Sequence, residues 1–534
     1  MRRSFICAAV VAAVGAVAFS APASAQDEKV FRYATTGDIL GLDPHINNEG
    51  PTNRMKSNVY GSMLHMQPSL EPEPDLATEW ERTNPTTWRF ELREGVKFHN
   101  GNDFNADDVI YSYKRQTQDA SDMSFALASI KSIEKVNDYE VKITTDGPDP
   151  TLLLNFTLFY IVDKEYMEAN DAFQIVKGAG KTNWANTNAN GTGPFKVVEW
   201  EQDNRLVLEP YEGWWNQENR QDNLDRAVFT PISNDATRVA ALLSGEIDLM
   251  YPAPLQDLSR LENASDVKAL QGPELRTIFF GFDQWRDELL DMPGSGENPF
   301  KDVRVRRAFA LAIDTKAIKR VVMRGAADRT GEMVAPGING FQPELNEPYP
   351  HDPEKAKELL AEAGYADGFP LTMDCPNDRY VRDEAICTAV VPMLERIGID
   401  VTLNAQTKSL HFNKIGPAQD NNTSFFMLGW TPGSYDAHNP LVNLMTMKGE
   451  GRGAWNCGRY SNPRIEELTT KIGQTVDEEK RDEMIHEAFK IHKEEVGHIP
   501  LHQQYLAWGV RTDTVESVTQ LPYNDVDLRY VTMK

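Results

Sequence analysis

Four of the ten histidines, His486, His492, His498 and His502, crowd one stretch of the 534-residue chain, and imidazole is the commonest metal ligand. Their spacing argues against a metal. His486-Glu487 is followed by His492, six residues on and opposite on a helix, not by the second histidine of a His-Glu-x-x-His zinc motif. His498 and His502 straddle a strand start and can share a face, but no cysteine or carboxylate completes a ligand set. These four read as packing or surface histidines, and no metal and no cofactor is expected. Catalytic patterns are equally scarce: the sequence holds no Gly-x-Ser-x-Gly elbow, no phosphate loop ending in Gly-Lys-Ser/Thr and no dinucleotide fingerprint after a strand. Gly191-Thr192-Gly193-Pro194-Phe195 lacks a third glycine, and its proline blocks helix entry, so it reads as a turn into a strand. An enzyme is not expected.

Binding chemistry is better represented. Trp430 ends a predicted strand, Ser424–Gly429, and opens a Gly/Pro loop through Gly433, Tyr435 and Asp436. Ligands gather at the carboxyl ends of strands, and tryptophan and tyrosine give stiff contact area with a polar handle, so this loop serves either as a ligand wall or as ordinary core. Trp508 carries the same pair of readings, whereas Trp214-Trp215 reads as packing. Arg379 and Arg382 follow another predicted strand, Leu371–Cys375. Their guanidinium forks can meet a carboxylate, or can sit at a solvated helix start among Asp378, Asp383 and Glu384.

The elements that must position these groups begin after an export signal. Arg2 and Arg3 precede an apolar run from Phe5 to Phe19, and Ala23-Ser24-Ala25 offers small residues for cleavage before Gln26. Residues 1–25 are therefore expected to be removed, leaving a chain in the periplasm that is not embedded in the membrane. Loss of Arg2 and Arg3 leaves 53 basic residues against 80 acidic ones, which repels phosphate backbones and excludes nucleic acid as a partner. Cys375, Cys387 and Cys457 survive cleavage. Cys375 and Cys387 lie close enough across a strand-to-helix return to form a disulfide, the alternative being three unpaired packing thiols.

Apolar alternation predicts strands at Val30–Thr35, Trp88–Leu92, Glu140–Thr145, Phe195–Trp200, Leu206–Pro210 and Ala227–Pro231. Others follow at Thr277–Phe282, Leu371–Cys375, Val401–Asn404, Ser424–Gly429 and Ile499–Tyr505. Helices are predicted from Asp235 to Gly245 and, behind a cap at Asp352 and a proline at the first position, from Glu354 to Ala363. The segment from Asp302 to Ile313 reads as an amphipathic surface helix with Arg304, Arg306 and Arg307 outward. Strands alternating with helices make this an α/β chain with mixed sheets.

Several segments together resemble the solute-binding proteins of ABC importers of the dipeptide, oligopeptide and nickel class. They are Leu42-Asp43-Pro44, Leu76-Ala77-Thr78-Glu79-Trp80, Phe90 to Gly101 running into Phe104-Asn105-Ala106-Asp107-Asp108-Val109, and Gly191 to Phe195. Gly245-Glu246-Ile247-Asp248, Val305-Arg306-Arg307-Ala308 with Ala312-Ile313-Asp314, and Ile499-Pro500-Leu501 follow in order. The resemblance implies a two-lobed clamp: lobe one over 26–280 with a subdomain inserted at about 50–185, lobe two over 281–500, and a return to lobe one over 501–534. It implies a receptor that encloses a small polar solute, a peptide or an opine-like conjugate, between its lobes and delivers it to membrane permease subunits. An oligosaccharide or metal complex in the same fold, a secreted hydrolase and a chaperone-like peptide binder are the alternatives, and a monomer is expected. Peptide-binding members hold the ligand amine with an aspartate three residues after the tryptophan of a Gly-Trp loop. Here Gly429-Trp430 matches, but that position is Gly433, and Asp436 falls on another acidic position of the family. The residues expected at the ligand are thus Trp430, Gly433, Tyr435, Asp436, Arg379, Arg382, Trp508 and, on the loop after the first strand, His45.

Overall fold

The computed structural model describes residues 28–176, 182–416, 419–449, 451–523 and 526–534, so the export signal and Gln26 lie outside the described residues. Eleven strands form one mixed sheet: β1 Val30–Thr35, β2 Phe195–Glu201, β3 Arg205–Pro210, β4 Arg226–Pro231, β5 Leu249–Met250, β6 Val267–Phe282, β7 Ala327–Arg329, β8 Pro370–Pro376, β9 Asp400–Gln406, β10 Phe425–Trp430 and β11 His498–Arg511. Across the sheet the order is β9-β8-β10-β6-β11-β5-β1-β4-β3-β2, with β7 on β11.

Two strands hold the lobes together. β6 and β11 run antiparallel, from Val267 opposite Arg511 to Gly281 opposite His498. At one end they meet the lobe-one strands through β5 and β1, and at the other β6 carries β10 and then the parallel pair β8–β9 of lobe two. Their ladder breaks in the middle. Pro273 faces Tyr505 and the next pair is Thr277 with Gln503, so Glu274, Leu275 and Arg276 bulge out opposite Gln504 alone. Pro273 has no N–H to give to the ladder, which favours a break at this point.

The core consists of several apolar clusters, one of which runs from lobe two into Ala34, Val239 and Met250 of lobe one. Phe280, Phe282, Phe300, Phe309 and Phe425 pack as a ring cluster in lobe two, and Phe31, Tyr33, Phe229 and Trp508 form the centre of lobe one. A separate four-stranded antiparallel sheet, in the order Ala77–Asn84, Thr87–Leu92, Glu140–Thr145, Ile130–Asn137, buries Phe90 and Phe156 in a third core. It is bolted to lobe one by a fully buried ion pair, Arg115 Nη1 to Asp43 Oδ1 at 2.8 Å.

Local signals explain the helices. Helix Pro353–Glu362 starts at Asp352, whose side chain accepts from the Lys355 N–H, and Gly364 leaves it at φ 93°. Helix Val303–Ala312 is capped by Asp302, but it is not the surface helix its arginines suggested. Arg306 is buried and donates to the carbonyls of Phe300, Glu495 and Val496. It thereby satisfies acceptors left over at the end of helix Glu478–Glu494.

Candidate ligand-binding site

Where the bulge of β6 leaves the ladder, a cavity of about 200 Å³ opens between the lobes. Lobe one supplies Arg54 and Ser57 from helix Gly50–Val59, the following Tyr60, and Asp75. The bulge supplies Glu274 and Arg276, lobe two supplies Thr431 and Tyr435 from the loop after β10, and the C-terminal segment supplies Tyr523 and Arg529. Gly193 lies against the backbone at the end of helix Gly50–Val59, where a Cβ would sit 2.6 Å from the Val59 carbonyl carbon. Its N–H donates to the Val59 carbonyl at 3.0 Å. That close approach explains the Gly-Thr-Gly-Pro-Phe turn.

The cavity charges come mostly in pairs. Arg276 donates to Glu274 Oε1 at 3.0 Å, and Gln504 donates to Oε2 of the same carboxylate. Arg529 engages both oxygens of Asp527 and donates to His65 Nδ1 at 3.0 Å. Burial, followed by the Arg529 charge, holds His65 down to about 3, so its ring is a neutral acceptor. The Thr431 hydroxyl is buried with no hydrogen-bond partner among the described residues.

A two-lobed clamp with a partly open cavity of mixed polar and apolar lining between its halves is the arrangement of a solute receptor. The family model for bacterial extracellular solute-binding proteins, family 5, matches residues 71–452. The chain belongs to that family. Relatives of this solute-binding protein include the heme-binding protein A of Haemophilus influenzae, 29% identical over 86% of this chain and 84% of the relative. The dipeptide-binding protein of Escherichia coli is 26% identical over 88% of each chain. Among solved structures, CtaP of Listeria monocytogenes superposes with a TM-score of 0.83 at 20% identity, covering 95% of this chain and all of that one. DppA of Helicobacter pylori in complex with the peptide STSA gives 0.73 at 24% identity over 94% and 98% of the two chains.

The residues expected at the ligand fall in different places in this solute-binding protein. Tyr435 lines the cavity, its ring 5.9 Å from that of Tyr523. Trp430 and Gly433 flank it: the indole N–H donates to Asn439 Oδ1 at 2.8 Å, and exposed Gly433 faces Phe125 of the inserted subdomain. Arg379 and Arg382 stand on the exposed turn before helix Asp383–Glu395, where Arg379 lies over the Tyr380 ring at 5.2 Å.

Three residues expected at the ligand lie outside the cavity lining. Asp436 is fully buried and accepts four hydrogen bonds, two from Arg481 at 2.6 and 3.0 Å, one from Asn339 and one from the His438 N–H. A carboxylate offers about four lone-pair sites, so none is left for a ligand. His45 is buried beside the Asp43–Arg115 pair, with Nε2 on the Tyr160 carbonyl and Nδ1 against Arg115. Burial holds it at about 3 and leaves it a neutral structural bridge. Trp508 lies in the core of lobe one against Tyr251. Sequence reasoning missed Asp75, Glu274, Arg276, Thr431 and Arg529, which carry no motif beyond their polarity.

The remaining chemistry sits apart from the cavity. Cys375 and Cys387 are joined, with Cα atoms 6.6 Å apart, and Cys457 is free and buried. His492 and His498 form a buried hydrogen-bonded pair at 2.9 Å, and His486 faces Gln342 and Glu344. Among the described residues no helix is long and apolar enough to cross a membrane.

Proposed function

We propose that this solute-binding protein captures a small zwitterionic, peptide-like solute between its lobes and delivers it to the permease of an ABC importer. The observation that carries this reading is the cavity itself. Carboxylates and guanidinium groups from lobe one, the bulge of the crossing strand and the C-terminal segment line the same space, which lobe two walls with Thr431 and Tyr435. A solute with both an ammonium and a carboxylate matches such a lining without leaving a charge unpaired. At about 200 Å³ the cavity falls below the roughly 300–1,000 Å³ of sites for drug-sized ligands, which favours a di- or tripeptide, or an opine-like conjugate, over a long chain. A peptide relative and a peptide-bound structural neighbour support the same class.

The lobe boundary in this reading lies at the bulge, near 273–277 and 503–505, with the chain after β11 returning to wall the cavity from the lobe-one side. Ligand contacts on both lobes favour the closed arrangement over the open one. We assign the cavity no reaction. The test is calorimetric titration and thermal melting of the chain from Gln26 onward against free di- and tripeptides, opines, oligosaccharides and nickel–histidine complexes. A cognate peptide at 100 times its Kd adds about 2.7 kcal/mol and a visible rise in Tm. Stabilisation by the sugars or nickel complexes alone would overturn the peptide-like reading.

A further inference from the structure

Four buried carboxylates surround or flank the cavity, and three of them already have a cation. Asp436 holds Arg481, Asp527 holds Arg529 and Glu274 holds Arg276. Asp527 is spent in the same way as Asp436, accepting four hydrogen bonds from the Arg529 backbone and guanidinium. Glu274 accepts from Arg276 on one oxygen and from Gln504 on the other. Asp75 differs. It lines the cavity, is 8% exposed, and makes no ion pair among the described residues. Among the described residues it accepts only from the Ser62 N–H, at 2.8 Å, and from Trp215. A buried carboxylate with spare lone pairs and no ion-pair partner is costly unless it takes up a proton or a cationic group arrives.

We infer that Asp75 receives the ligand's ammonium group, taking over on lobe one the contact that the family's Gly-Trp loop makes from lobe two and that Gly433 cannot supply here. This rests on the peptide-like reading of the cavity. Burial pushes the empty Asp75 carboxyl upward against the opposing Ser62 N–H and the Arg529 and Arg93 charges, which is the condition an incoming ammonium relieves. Asp75 itself is held in place by neighbours of its own lobe, because Arg93 Nε donates to its backbone carbonyl at 2.9 Å.

Moving the anchor changes what it does. A contact made with lobe one alone is present in the open and the closed clamp, so it adds affinity and leaves the open–closed balance untouched. The bias toward closure then comes from lobe two, where the unpartnered Thr431 hydroxyl is buried in the cavity wall. Affinity and closure are carried by different residues.

The experiment compares the wild-type chain from Gln26 onward with Asp75→Asn and Thr431→Val, titrated with free di- and tripeptides and the same peptides N-acetylated. Small-angle scattering reads closure at saturation, and melting confirms folding. Asp75→Asn is expected to lose about 10- to 100-fold in affinity for the free peptides, to erase the preference for them over acetylated ones, and to close fully at saturation. Thr431→Val is expected to leave that preference intact and to close less. If Asp75→Asn keeps the wild-type preference, Asp75 is not the anchor, although the peptide reading stands. If the wild-type chain binds no peptide of the panel, the reading and the inference fall together. Should Asp75→Asn not fold, the wild-type preference for a free amine, if absent, overturns the inference by itself.

Discussion

Asp436 and Arg481 show how a residue of the right chemistry can be bound to the wrong partner. The loop position and the charge of Asp436 are legible in the sequence, but Arg481 is 45 residues away in the chain and reaches it only in the fold. The same holds for His45, whose environment is set by Arg115 and Tyr160 from the inserted subdomain. Long-range pairing was therefore the illegible part of the site, and Asp75 was invisible because what distinguishes it is a missing partner. Removing one member of a buried pair leaves the other charge stranded, so Arg481→Met is expected to cost about 3–5 kcal/mol in urea unfolding. Asp436→Leu in the same chain should recover most of that loss. A large fall in ligand affinity in the double variant, with stability intact, would return Asp436 to the ligand.

At the scale of elements, most strands were legible because their alternation is local. Val30–Thr35 and Glu140–Thr145 stand where the pattern predicts them. The two crossing strands were read short. Gly272 and Pro273 interrupt the pattern of the first and Gly509 that of the second, yet both continue, over Val267–Phe282 and His498–Arg511, because each is hydrogen-bonded by the other. Tertiary pairing overrode local propensity. The Cys375–Cys387 disulfide ties the end of β8 into the following helix, a short loop worth about 3 kcal/mol by chain entropy. Dithiothreitol should lower the melting temperature of the wild-type protein and leave Cys375→Ala/Cys387→Ala, already lower, unmoved. An equal response of both proteins would place the effect elsewhere.

Across the whole molecule, buried histidines set the acid limit. Burial is the leading cause that holds His45, His65 and His498 at about 3 and His99 and His502 at about 4, with His492 shifted the same way. Below an unfolded value near 6.5 the unfolded chain binds protons that the folded one refuses, so stability falls as pH falls from about 6.5 toward 4. Glu332, Asp108 and Asp222, raised by burial to about 8, 7 and 6, act oppositely, holding protons in the fold that the unfolded chain releases. The histidines outnumber them. Urea unfolding at pH 6 and pH 5 is expected to differ by about 3 kcal/mol, with the lower pH less stable; equal or rising stability would contradict this balance.

The uninterrupted passage of β6 and β11 through both lobes also bears on how such a receptor can diverge. Neither lobe owns a complete sheet, since each borrows one half of the same two strands. A single genetic crossover cannot therefore exchange one lobe for a homologue's without splicing two strands in register at once. New ligand preferences must arise instead by substitutions scattered along the cavity wall, at residues such as Asp75, Glu274, Thr431 and Arg529, while the frame stays fixed.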